Sequence, residues 1–234
     1  MSKLKGTLEV FCDIVSPYSY IAFTSLCQYE HRLGVKLDFK PSFNAMLLKM
    51  SNNVPVSSNI MKLEHCERDL PFVTSYWQMP YRNISNFNDR ILKKKATPAL
   101  RLLTAARRFD PQLQRSAMRV LYHRLFFNDK DIFTEADVHA ALDEVDFANR
   151  AKLYEQMNTK EVKDELAFHT NEAINYGSFG VPWLVLHQPG KEKLITFGSD
   201  RLPMLCSHLG VKFEGPLVDD CPIEDKRLRL LKKE

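Results

Sequence analysis

With 234 residues, 44% of them apolar and 26% charged, the chain has the composition of an ordinary folded protein and the length for one domain with an insertion or two small ones. Its formal charge of +4 is too mild to demand a nucleic acid or an anionic membrane as partner. Five widely spaced cysteines, Cys12, Cys27, Cys66, Cys206 and Cys221, include no CxxC pair and argue against a disulfide framework, pointing instead to a reducing compartment.

Leu8-Glu9-Val10-Phe11-Cys12-Asp13 is rich in β-branched and aromatic residues and, bounded by Gly6, predicts a buried strand. A helix is expected next, with Ser16 as N-cap, Pro17 at its first position, apolar residues at Ile21, Phe23, Leu26 and Tyr29, and Gly34 as C-cap. Val35-Lys36-Leu37-Asp38-Phe39 alternates as a half-buried strand does, and Pro41 is expected to end it. From about Asn44 to Tyr176 the spacing turns helical. Helices are expected from Pro98 to Phe109, from Leu113 to Leu125, from a Thr134/Asp137 capping box through Val138, Leu142 and Val145, and from about Thr159 to near Gly177. Strands return at Trp183–His187 and Leu194–Phe197, around a turn at Gln188-Pro189-Gly190-Lys191. Ser199 reads as the N-cap of a last helix that Gly210 ends. The order is βαβ, a run of helices, a hairpin and a helix: an α/β plan in which 51–176 form an inserted helical domain within a domain made of 1–50 and 177–234.

Ser16 would stand at the positive end of its helix beside unpaired N–H groups, a place that favours an anion. Gly180-Val181-Pro182 precedes the third strand and would face that helix start, where a cis Val181-Pro182 bond is plausible. Three segments together, Asp13-x-x-Ser16-Pro17-Tyr18-Ser19-Tyr20, Tyr176-Gly177-x-Phe179-Gly180-Val181-Pro182 and Phe197-Gly198-Ser199-Asp200-Arg201, resemble the kappa-class glutathione transferases over nearly the whole chain.

The resemblance implies a DsbA-like thioredoxin fold with a helical insertion, reduced glutathione as cosubstrate with no permanently bound cofactor or metal, and a homodimer. It places Ser16-Pro17-Tyr18-Ser19 where thioredoxin-like proteins carry a Cys-x-x-Cys pair, so the sulfur must arrive with the ligand. It implies that Ser16 donates to the glutathione sulfur, with Pro17 and Tyr18 beside it. Val181, before Pro182, would pair its backbone with the cysteinyl unit, while Ser199 and Asp200 hold the γ-glutamyl end. Asn53 and Lys62 match further glutathione contacts, and Asp69 a residue reaching across the dimer. Tyr20 stands where the family usually has Trp. Mitochondria and peroxisomes house family members, whereas the chain's own signals make the cytosol the expectation: the first strand follows the N-terminus too closely for a signal peptide, and the C-terminus is no peroxisomal address.

A free thiol of pKa about 8.5 is roughly 3% ionised at neutral pH, and lowering it by about two units requires roughly 2.7 kcal/mol. A helix terminus supplies about 0.3 to 1 kcal/mol and a hydrogen bond to a charged group about 1.5 to 3, so Ser16 needs both its hydroxyl and its location. The activity expected is conjugation of glutathione to small electrophiles, with peroxide reduction in addition. A glutathione-dependent 2-hydroxychromene-2-carboxylate isomerase and a non-catalytic binding module remain alternatives. Phe43, Met46, Trp77 and Phe87 are candidates for the electrophile pocket. Cys12 reads as a packed core thiol and Cys66 as exposed without a redox role, the seven histidines show no metal spacing, and Lys93-Lys94-Lys95 and Lys226-Arg227-Leu228-Arg229 read as solvated surface, not nucleic-acid contacts. No apolar run reaches membrane-spanning length, so no membrane insertion is expected.

Overall fold

A computed structural model describes residues 4–217; Cys221 and the basic tail at 226–229 lie outside the described residues. Four strands, β1 (Thr7–Cys12), β2 (Lys36–Pro41), β3 (Trp183–His187) and β4 (Leu194–Phe197), form one sheet in the order β2-β1-β3-β4. The first pair is parallel and the other two antiparallel. Helix α1 (Pro17–Leu33) joins β1 to β2. Between β2 and β3 come α2 (Asn44–Met50), α3 (Ile60–Tyr76), α4 (Thr97–Phe109), α5 (Pro111–Phe126), α6 (Glu135–Asp143), α7 (Arg150–Gln156) and α8 (Lys160–Asn175), and α9 (Leu202–His208) follows β4.

Period-two alternation divides the apolar residues of the sheet between two faces. Leu8, Val10 and Cys12 of β1 and Leu184 and Leu186 of β3 join the larger core, together with α1, α4 and α5. Phe11, Trp183 and Val185 face the other way and pack with Leu47 of α2 and Ala173 of α8. The larger cluster runs from the sheet into Leu142, Leu153 and Leu166, so the inserted helices share one core with the sheet. Tyr20 is part of that junction. Its ring stacks on Tyr122 at 4.6 Å and on Phe126 at 5.7 Å, and its hydroxyl donates to the Pro80 carbonyl at 3.3 Å.

The helix ends follow their local chemistry. Ser16 caps α1 with Pro17 at the start, and Gly34 closes it at φ 65°. Thr134 and Asp137 form the reciprocal capping box of α6, and Thr159 caps α8. Pro71 lies inside α3, where its ring nitrogen cannot donate to the carbonyl of Glu67. Asn83 fills the gap, its amide donating to that carbonyl at 2.8 Å.

Pro41 ends β2 as expected, as its last residue opposite Cys12, a place an edge strand tolerates because it need not donate on its open side. Two expectations need correction. Val145 lies beyond the end of α6 and is exposed. The last helix begins at Leu202, with Arg201 at its cap, so Ser199 is not an N-cap. Pro203 in the first turn sets that start, and Ser199-Asp200 instead make the turn that leaves β4.

Candidate functional site

Register brings the three sequence segments together. Phe11 pairs with Trp183, so the chain leaving β1 toward Ser16 and the chain entering β3 through Val181-Pro182 meet at one end of the sheet. Trp183 in turn pairs with Phe197, which delivers Gly198-Ser199-Asp200 to the same end, and Cys12 beside Pro41 delivers the start of α2. Two bonds fasten the convergence: Gly198 N–H donates to the Pro182 carbonyl at 3.0 Å, and Asn44 N–H to Asp13 Oδ2 at 3.0 Å. The Val181-Pro182 peptide is cis.

These residues line a cleft of about 1430 Å³, above the usual range of about 300 to 1,000 Å³ for ligand pockets. Ser16, Pro17, Tyr18, Asn53, Asp69, Val181, Pro182, Ser199 and Asp200 are all on its wall. Lys62 is not: it is exposed on the first turn of α3, where its backbone N–H donates to the Asn59 side chain. Phe43, Met46, Trp77 and Phe87 line the cleft as well.

Ser16 is 8% exposed. Its Oγ accepts from the Ser19 backbone N–H at 3.1 Å, while its own proton meets no acceptor among the described residues and is free for a ligand. Ser19 is fully buried, and its Oγ accepts from the Asp13 N–H at 3.5 Å. Asp13, on the cleft wall, accepts from the backbone N–H groups of Val15 and Asn44. Burial pushes the Asp13 carboxyl up to about 6, against the lowering effect of those donors.

Also on the cleft wall, Asp200 pairs with Arg201 at 3.0 Å, and the Asn53 amide donates to the Phe179 carbonyl at 2.9 Å, tying the loop after α2 to the loop before Pro182. Cys12 is buried in the core, and burial raises its thiol well above the usual range, leaving it unreactive. Among the described residues no cluster of three His, Cys, Asp or Glu is arranged to hold a metal ion, and no helix is long and apolar enough to cross a membrane.

Sequence reasoning missed Cys66. It is half-buried on the cleft wall, with its Sγ 3.2 Å from the Tyr18 hydroxyl. The spacing of Leu63, Cys66, Leu70 and Val73 carried the signal, since it sets all four on one inward stripe of α3. Tyr81 was missed too, and nothing in its own neighbourhood marks it.

A DSBA-like thioredoxin domain matches residues 7–210. Glutathione S-transferase kappa 1 of Homo sapiens is 33% identical over 219 residues, covering 93% of this chain and 96% of the relative. This chain belongs to the kappa-class glutathione transferases. Its kappa-class relatives include the kappa 1 protein of Rattus norvegicus, 32% identical with the same coverage, and the kappa 2 protein of Caenorhabditis elegans, 30% identical over 93% of this chain and 98% of the relative. Two solved structures share the kappa-class chain's fold. A 2-hydroxychromene-2-carboxylate isomerase superposes with a TM-score of 0.69 at 20% identity, over 87% of this chain and 94% of that one. Cytosolic disulfide reductase DsbM from Pseudomonas aeruginosa gives 0.59 at 13% identity, over 96% and 99%. The kappa-class chain carries Ser16 and Ser19 at the helix start after β1, and neither offers a sulfur for disulfide exchange.

Proposed function

We propose that this chain binds reduced glutathione in the cleft, ionises its thiol at Ser16 and transfers the thiolate to a small electrophile, with peroxide reduction as a second use of the same thiolate. The free Ser16 hydroxyl proton at the N-terminus of α1 carries the reading, because a donor and a positive helix end together meet the requirement of about 2.7 kcal/mol for a shift of two pKa units. Val181, ahead of Pro182, pairs with the cysteinyl unit in this reading, and Ser199 and Asp200 hold the γ-glutamyl end. Asn53 contributes from the loop it already braces, and a contact from Lys62 requires its side chain to reach in from the first turn of α3, off the cleft wall.

A second subunit fits the exposed Ile60, Met61 and Phe72 of α3, the helix that carries Asp69, and supports the homodimer. For residence, the resemblance to the family supports mitochondria or peroxisomes.

The pH dependence of conjugation tests the mechanism. Ser16→Ala is expected to raise the apparent pKa of bound glutathione by one to two units, read from thiolate absorbance. A less acidic thiolate is also a better nucleophile, with a Brønsted coefficient near 0.4 to 0.5, so the net loss of rate on a chloronitrobenzene is about twofold to eightfold at pH 6.5, disappears between about pH 7 and 8, and reverses by about pH 9, where both thiols are largely ionised. A variant profile that superimposes on the wild-type one removes Ser16 from the mechanism. Glutathione binding is checked separately: at 100 times Kd it adds about 2.7 kcal/mol of stability and raises the melting temperature.

A further inference from the structure

Beside Ser16 the cleft holds two phenol hydroxyls, those of Tyr18 and Tyr81, to which the glutathione reading assigns no contact. Tyr18 is half-buried in the first turn of α1, and its hydroxyl meets only the Sγ of Cys66, at 3.2 Å. A thiol sulfur is a weak hydrogen-bonding group, so a better acceptor arriving in the cleft displaces it. Tyr81 lines the same cleft, with its ring stacked on Phe126 at 5.9 Å, and its hydroxyl has no hydrogen-bond partner among the described residues. Burial first, then the adjoining Cys66, holds both phenols well above their ordinary range, so each keeps its proton across the working range of pH. The wall around them is built mainly of Leu63, Leu70, Val73 and Trp77, with the Asp69 carboxylate on the Tyr18 side and that of Glu67 on the Tyr81 side. A carbon-rich body with one accepting oxygen suits that surface; an alkyl halide has no use for the O–H groups.

We propose that Tyr18, with Tyr81 beside it, donates to the oxygen of the electrophile, and that the electrophile is an α,β-unsaturated carbonyl compound; this rests on the glutathione reading above. The thiolate sulfur forms a bond to the β-carbon, the C=C π pair shifts, and the carbonyl oxygen takes up the charge as an enolate. Tyr18 gives that oxygen its proton and regains one from water, the proton of the thiol having passed to solvent. The enol then relaxes to the ketone, so the sum is thiol plus enone giving a thioether, with no oxidant or reductant. Tyr18 is on this account a catalytic residue.

The test is the ratio of turnover on 4-phenyl-3-buten-2-one to turnover on benzyl chloride, measured with reduced glutathione on the full chain. Removing one preorganised donor to a developing oxyanion typically costs about 10² to 10³ in rate. Tyr18→Phe is therefore expected to lower the ratio at least tenfold, and Tyr18→Phe with Tyr81→Phe to lower it further. A smaller change overturns the proposal, whether both rates fall together or neither does. Cys66→Ser keeps a polar partner for the phenol and is expected to hold the ratio within threefold of wild type; a fall as large as that of Tyr18→Phe overturns the proposal by assigning the effect to packing. Wild type that turns over neither compound overturns it as well, and the glutathione melting shift in the same samples then reads whether the glutathione reading has failed with it.

Discussion

Ser16 and Ser19 stand three residues apart in one turn and put the same hydroxyl to different uses. Ser19 is spent inside the protein, accepting from Asp13 while its own N–H donates to Ser16 Oγ. That second bond fixes Ser16 by an acceptor lone pair and leaves its proton free, which is the arrangement a thiolate needs. Gly198 is the other position where one residue shapes the site. At φ 104° it adopts a conformation that L side chains rarely take, and a Cβ there would lie 2.6 Å from Asp200 Oδ1. Gly198→Ala is expected to displace the Asp200 carboxylate and weaken glutathione binding about tenfold by calorimetry, with a loss of roughly 1 to 3 kcal/mol of stability from backbone strain. Binding equal to wild type would separate Asp200 from the γ-glutamyl end. The roles of Ser16 and Gly34 as caps were legible because each depends on residues within a few positions. The partner of Tyr18 was not, since Cys66 lies 48 positions away.

At the scale of elements, a buried ion network fastens the sheet to α8. Lys40 Nζ lies 2.6 Å from both Glu9 Oε1 and Glu172 Oε2, and His187 Nε2 lies 2.8 Å from Glu9 Oε2, joining β1, β2, β3 and α8. Burial raises the Glu9 carboxyl, but the Lys40 and His187 bonds outweigh it and the net direction is down. The Lys40 side chain is only 7% exposed, so its charge has little access to water. Lys40→Met leaves the carboxylates of Glu9 and Glu172 without their cation and is expected to cost about 3 to 5 kcal/mol in urea unfolding, because breaking one side of a buried pair strands the other. A loss below 1 kcal/mol would mean that water reaches the network. The alternation of Val35 to Phe39 was readable, but nothing in it marks the next residue, Lys40, whose carboxylate partner Glu172 comes from α8, 132 positions away. Pro71 is a similar case. A proline inside a helix argues for a break, and α3 continues because Asn83, twelve positions downstream, bonds the freed carbonyl.

For the molecule as a whole, two buried groups pull stability in opposite directions as pH falls. Asp13 takes up its proton near pH 6 in the fold but near 3.8 when unfolded, so stability withheld at neutral pH returns as pH drops through that window. Burial, helped by Arg107, lowers the His169 pKa to about 4 from 6.5, so stability present above 6.5 is lost as pH falls toward 4. Each effect is worth about 3 kcal/mol, and over the shared window they nearly cancel. Relative to wild type, Asp13→Asn is expected to lose stability on going from pH 7 to 4.5, and His169→Gln to gain it, by urea unfolding at both pH values. Variants that keep the wild-type difference between the two pH values would place the titration elsewhere.

By itself the sequence determined the helical or strand character along the chain, the caps of α1 and α6, the approximate span of α8, the β3–β4 hairpin and the three segments that form the cleft, since each is written in spacing and capping chemistry over a few neighbouring residues. Tertiary structure decided which side chains meet across the cleft. It put Cys66 and Tyr81 beside Tyr18, turned the Asn53 amide onto the Phe179 carbonyl and left Lys62 off the wall. Those outcomes depend on where α3 and its flanking loops dock against the sheet end. That docking is fixed by a shared core drawn from distant parts of the chain, which no local pattern contains.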